Sequence, residues 1–200
     1  MSYRCLALRS LLYSLALLAL PGGAQTVDST TLSNKFILGY QAWHASAGDG
    51  AALNLYIHWS HVGGVQPSPT DVVCDLWPDL SEFAGTEQFT TGFTLGNGQP
   101  AKAYSCYLTN TVLRHFKWMH DYGIDGVALQ RFTKDVFTGS TWAALKNTNL
   151  VNAKLGAETY GRVFFVMYDI SNDDPSTVFS HLQTDWAYIV NTVQIGRAHV

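Results

Sequence analysis

Asp125-Gly126-Val127-Ala128-Leu129-Gln130-Arg131-Phe132 is an apolar run entered through an Asp-Gly pair and closed by polar residues. Its length suits a strand, and its continuous rather than alternating hydrophobicity suits one buried on both faces of a parallel sheet. Two other runs share this character: Phe36-Ile37-Leu38-Gly39-Tyr40 upstream, and Arg162-Val163-Phe164-Phe165-Val166-Met167-Tyr168 downstream, which ends at Asp169.

Helix-length segments separate these runs. From about Thr109 to Tyr122, Val112, Phe116 and Met119 recur on one helical face with Leu113 beside them. Gly123 then supplies a left-handed stop, and Ile124 is placed for the apolar contact of a Schellman ending. Ser140 or Thr141 is positioned to cap a second helix carrying Trp142, Leu145 and Val151 and ending near Gly161. Asp174 and Pro175 form a cap and first-turn proline for a third, with Val178, Leu182, Asp185/Trp186 and Ile189 at helical spacing. The alternation predicts a parallel α/β sheet with right-handed crossovers.

Residues 41–108 are far longer than the usual βα connection of about 2 to 6 residues. They are expected to form a long loop after strand one, at the carboxyl ends of the strands, where α/β proteins hold ligands.

The amino terminus carries Arg4 and Arg9, the apolar run Leu11 to Leu20, and the small residues Gly22, Gly23 and Ala24. This predicts a secretory signal peptide over residues 1–24, too short to anchor in a bilayer, and a secreted, periplasmic or cell-surface protein. Residues 25–34 read as a short polar leader and 35–194 as the organised domain. The final six residues, Ile195 to Val200, coincide with the translation of a widely used sequencing-adapter string, so 195–200 are expected to be a non-native tail and the chain a fragment. In an oxidising compartment Cys74 and Cys106 stand either as a disulfide or as two buried thiols.

A net charge of -3 with 14% charged residues provides no electrostatic footprint for nucleic acid. No membrane partner is expected once the leader is removed, nor any cofactor. Aromatic content of 13% fits neutral, stackable partners such as sugars.

Candidate binding residues gather where strands end. Gln41 and Trp43 leave strand one as an amide and a ring suited to sugar hydroxyls and a sugar face, although Trp43 also suits a core cap. His58 and Trp59 follow, then Asp75, Trp77 and Asp79 as acids and indoles of a subsite wall, with Asp79 alternatively capping a turn. His58 and His61 lack the supporting acidic spacing of a zinc site, so no metal is expected. Gln130, Arg131, Tyr168 and Asp169 close strands two and three, where burying polar groups favours a ligand-facing role unless Arg131 pairs with Asp169. Strand one leads into no G-x-G-x-x-G turn and no nucleophile elbow is present, which argues against dinucleotide and serine-hydrolase chemistry.

Gly39-Tyr40-Gln41-Ala42-Trp43, Asp75-Leu76-Trp77-Pro78-Asp79-Leu80-Ser81-Glu82-Phe83 and His115-Phe116-Lys117-Trp118-Met119-His120-Asp121-Tyr122-Gly123-Ile124-Asp125-Gly126-Val127 together resemble the glycoside hydrolase family 71/99-like proteins, some labelled xylosidase/arabinosidase. The likeness spans nearly all of Lys35 to Thr192. It implies a (β/α)8 TIM barrel, here incomplete, with the first three βα units and the long loop after strand one. It also implies hydrolysis of poly- or oligosaccharide glycosidic bonds, with the main carboxylates beyond Gln194. Asp169 is then the one acid nominated for catalysis, and the fragment alone is expected to be inactive. A non-catalytic carbohydrate-binding protein is the alternative.

Overall fold

The computed structural model describes residues 26–195. The expected signal peptide and residues 196–200 lie outside the described residues. Its central element is a three-stranded parallel sheet of β1 (Ile37–Tyr40), β4 (Gly126–Phe132) and β5 (Val163–Asp169), in the order β1-β4-β5. The register sets Tyr40 beside Leu129 and carries Leu129 to Val166, Arg131 to Tyr168 and Phe132 to Asp169.

Helix α1 (Thr109–Asp121) connects into β4, and α3 (Ala143–Tyr160) connects β4 to β5. A short helix α2 (Thr133–Val136) follows β4 directly, and α4 (Val178–Tyr188) follows β5. The end of α1 is a Schellman closure: Gly123 takes φ 72, and Ile124 N–H donates to the Met119 carbonyl at 2.8 Å. Helix α3 ends the same way, with Gly161 at φ 57 and Arg162 N–H donating to the Ala157 carbonyl at 3.0 Å. The leader is tied to this turn, because Val27 N–H donates to the Gly161 carbonyl at 2.9 Å.

One face of the sheet carries the core. Val127, Leu129 and Phe164, with Val166 and Tyr40 at their margin, pack against Val112, Phe116 and Met119 of α1, Leu150, Ala153 and Ala157 of α3, and Ile189 just past α4. Alternate side chains project to the other face, which is left partly open, Met167 being 40% exposed. Gly126 is required where β4 meets β5, since a Cβ there would collide with the Val163 carbonyl oxygen. None of the described helices is long and apolar enough to cross a membrane.

Two expectations are corrected. The barrel is the first: the described residues form an open three-stranded parallel sheet plus an antiparallel pair, and no barrel closes. Alternating βα units dictate parallel pairing and the side on which helices pack, but they do not dictate closure. Nor is the segment after strand one a bare loop. It contains β2 (Phe89–Thr94) paired antiparallel with β3 (Pro100–Ala103), and bridges join Ala45 to Ile57 and Tyr56 to Gly64. β-branched and aromatic residues of Phe89–Thr94 precede the Gly96-Asn97-Gly98 turn, which supplies the hairpin's reversal. This cap buries its own cluster of Tyr56, Trp59 and Ala103 with Trp77, Tyr104 and Cys74 around them.

Of the two thiol arrangements that the sequence left open, the structure holds the unpaired one. Cys74 and Cys106 are both free thiols. Cys106 belongs to the main core, fixed by its N–H to the His44 carbonyl at 2.8 Å, whereas Cys74 packs in the cap cluster.

Candidate functional site at the strand ends

After β1 the chain turns sharply at Ala42, which takes φ 46. That left-handed backbone is unusual for a residue with a Cβ, and it is held by the buried Asn149 amide of α3, which donates to the Ala42 carbonyl. The turn swings Trp43 over the end of β4. Its ring lies near-parallel to Phe132, centroids 5.9 Å apart and planes 11° apart, and to His58 at 4.1 Å and 20°. His58 is exposed and also has positive φ, 60°. Lys134 Nζ sits 5.6 Å from the Phe132 centroid and extends the stack with a cation.

Beside this ladder, Gln130 Nε2 donates to Asp169 Oδ2 at 2.6 Å, and Ser171 N–H donates to Oδ1 at 2.8 Å. The hydrogen bonds from Ser171, then that from Gln130 and the nearby Lys134 charge, hold the Asp169 carboxyl below the usual carboxylate range. At neutral pH it is therefore an ionised acceptor, base or nucleophile rather than an acid. Partial desolvation of the ring stacked on Trp43, and then the Lys146 charge, lowers the affinity of His58 for a proton even though the residue is exposed. His58 also lines a cleft of about 450 Å³, together with Ser60, His61, Val73 and Trp142 among others.

Arg131 and Tyr168 lie beneath this surface rather than on it. Arg131 is buried, with Nη1 donating to the Lys146 carbonyl and the rest of its fork held by Asn147 and Asp185. Tyr168 OH donates to Asp185 Oδ2 at 2.7 Å; burial, then this neighbouring carboxylate, raises its pKa. Arg131 thus pairs with Asp185 and not with Asp169. Next to it, buried Lys146 faces Asp135 at 3.7 Å. The layer is a polar floor that fixes the ends of β4 and β5.

The candidates read from sequence divide accordingly. Gln41, exposed at the end of β1, and Trp43, His58, Gln130 and Asp169 lie at the strand ends. Trp59 is 1% exposed and is core of the cap. Trp77 donates Nε1 to the Lys102 carbonyl at 2.8 Å, which assigns its ring to the same cluster. Asp75 is exposed, and Asp79 accepts from Ser81 N–H at 2.8 Å in a local turn away from the ladder. His61 N–H and ring both meet Asp71 Oδ1. Among the described residues no group of three or more His, Cys, Asp or Glu is placed to hold a metal ion.

Four contributors escaped the sequence reading: Phe132 as a stacking ring, Lys134, Asn149 and Asp185. Phe132 and Lys134 were accessible in principle, since period-2 alternation along the end of β4 puts Phe132 on the face of Gln130. Asn149 and Asp185 act across 107 and 54 positions, and no local pattern marks them.

No known family model matches the chain, and the search of curated proteins gave no match.

Proposed function

We propose that the protein is an exported glycoside hydrolase acting on poly- or oligosaccharides, with its sugar-binding wall at the strand ends. The observation that carries this reading is the Trp43, Phe132 and His58 ladder standing beside the Gln130–Asp169 pair. A pyranose presents apolar C–H faces and a rim of hydroxyls; the apolar ring edges and the open end of the ladder at exposed His58 take the faces, while an amide and an ionised carboxylate take the hydroxyls. The family resemblance of the 39–43, 75–83 and 115–127 segments supports the same class. In glycoside hydrolysis an ionised carboxylate serves as base or nucleophile while a second, protonated group supplies the leaving-group proton. Asp169 has the charge state of the first role.

Carbohydrate binding without cleavage is the second reading, favoured by one observation. Both Asp169 oxygens already accept hydrogen bonds, an arrangement equally suited to gripping a hydroxyl.

The test is a screen of α- and β-linked oligosaccharides for reducing-end release and for binding, on the full-length protein and on its Trp43→Ala and Asp169→Asn variants. Trp43→Ala is expected to weaken binding about three- to tenfold, the size of one lost aromatic contact. Asp169→Asn is expected to lower cleavage by about a hundredfold or more. Binding retained with cleavage undetectable throughout would select the second reading, and neither binding nor cleavage would reject both.

A further inference from the structure

Away from the strand ends, residues 78–83 lie along α1 and enclose with it a cleft of about 500 Å³. Phe83, Tyr104, His115, Trp118 and Tyr122 form its walls, with Asp79 and Glu82 also lining it. Tyr122 is 78% exposed, a large ring left standing in water at the end of a helix. Trp118 is braced by its Nε1–H, which donates to Glu82 Oε1 at 3.1 Å, so the indole offers a visitor its π face rather than its donor. The ring also rests 5.6 Å from His115 and edge-on to Phe83 at 5.8 Å.

His115 closes the inner end. Its Nδ1 is engaged by Tyr40 OH at 2.9 Å. Burial, followed by His44 and Arg114, lowers its pKa to about 4, so it contributes no positive charge at neutral pH. Among the described residues the cleft lining includes no Lys or Arg. The cations of α1 pair with other carboxylates, Arg114 with Glu87 at 2.8 Å and Lys117 with Asp121. The Arg114 guanidinium also lies over the Phe83 ring, 4.9 Å from its centroid, which leaves Trp118, Tyr122 and the two carboxylates as the groups open to a guest's charge.

The lining therefore combines π faces and two carboxylates, which attract positive charge, with an imidazole that carries none. Ring faces are negative in quadrupole, and cation–π attraction is strongest at Trp. An anion is repelled here, and a neutral guest forgoes the charge complementarity. We propose that this cleft is a binding site for a small organic cation, an ammonium group on an apolar body, with the charge between Trp118, Tyr122 and Glu82 and the body against Phe83. This site is independent of the sugar-binding reading of the strand ends.

Calorimetric titration of the whole protein with choline, and in parallel with its neutral isostere 3,3-dimethylbutan-1-ol, tests the site. Choline is expected to bind saturably and at least tenfold tighter than the isostere. Glu82→Gln, a surface change, is expected to weaken choline at least threefold, and Trp118→Ala at least tenfold. Absence of saturable choline binding, equal affinity for the isostere, or unchanged affinity in Glu82→Gln would each overturn the proposal. Because the glycan screen does not use this cleft, its outcome and this one are separable.

Discussion

Arg131 and Asp185, 54 positions apart, form a buried bidentate ion pair, Nε to Oδ2 at 2.9 Å and Nη2 to Oδ1 at 2.5 Å. The side chains are 2% and 1% exposed. A planar guanidinium fork matched to a carboxylate is among the stronger charge-assisted contacts, and Tyr168 completes the Asp185 acceptor set. The pair ties the end of β4 to α4, beneath the surface on which Gln130 and Asp169 stand.

Breaking it from one side leaves an uncompensated buried charge. Asp185→Asn is expected to destabilise by about 3–5 kcal/mol, whereas replacing both partners with apolar residues of similar volume is expected to be far milder. Urea unfolding of the two variants and the parent measures the difference. A single variant as stable as the parent would show that the pair does not hold α4 in place.

Stability is expected to fall on mild acidification. Burial lowers the pKa of both His44 and His115 to about 4, against about 6.5 in an unfolded chain. Between those values the unfolded state takes up protons that the folded state refuses, so stability is fully present above about pH 6.5 and declines as pH drops toward 4. Each group steepens the slope by up to about 1.4 kcal/mol per pH unit. Carboxyls held low, such as Asp169, are lost only on further acidification through their own folded-state pKa values. Melting temperatures from pH 7.5 to 4.0 should therefore drop within this window, with a shallower drop in His115→Gln; a level profile contradicts the burial of both rings.

Glycine at 156 is a packing requirement. A methyl group there would enter the Phe116 ring, where α3 crosses α1, so Gly156→Ala is expected to cost about 1–3 kcal/mol through overpacking despite alanine's better helix propensity. Gly96→Ala meets nothing within 4 Å and should stay within about 0.5 kcal/mol of the parent. Denaturant midpoints of the two variants give the comparison, and equal midpoints would mean the helices have room to separate.

The two thiols should differ sharply in reactivity. Burial pushes Cys106 up to about 12 and raises Cys74 less, with Asp75 contributing to the latter. Iodoacetamide on native protein is expected to label Cys74 slowly and Cys106 only after denaturation, as read by peptide mass spectrometry. A disulfide-linked peptide containing both residues would contradict the free-thiol arrangement.

Much of the fold was legible locally. The runs at 36–40, 125–132 and 162–169 occur as β1, β4 and β5, but only the central β4 is buried along both faces as continuous hydrophobicity implies; β1 and β5 are edge strands of the described sheet and leave Leu38 and Met167 partly exposed. Gly123 and Gly161 end helices as expected, since a left-handed closing residue favours the side chain without a Cβ. The β2–β3 hairpin went unread, because Gly- and Pro-rich surroundings resemble loop until the antiparallel partner is known. The site was legible only in part. Trp43 and Asp169 are strand-end residues by chain position alone, but Trp59 and Trp77 carry the same sequence signal and are cap core. An indole's composition does not say which side of it faces water.

What the amino-acid sequence by itself determined is the set of short-range choices: which segments are strands or helices, where they stop, and that the strands run parallel. Each depends on side-chain periodicity or backbone preference within about a dozen residues. Only the tertiary structure decided that the described sheet stays open, that Cys74 and Cys106 remain apart, and that Arg131 turns inward to Asp185 while Asp169 turns to Gln130. Those outcomes depend on distances between groups far apart in the chain, where hydrogen-bond geometry and desolvation select one partner from several of suitable charge.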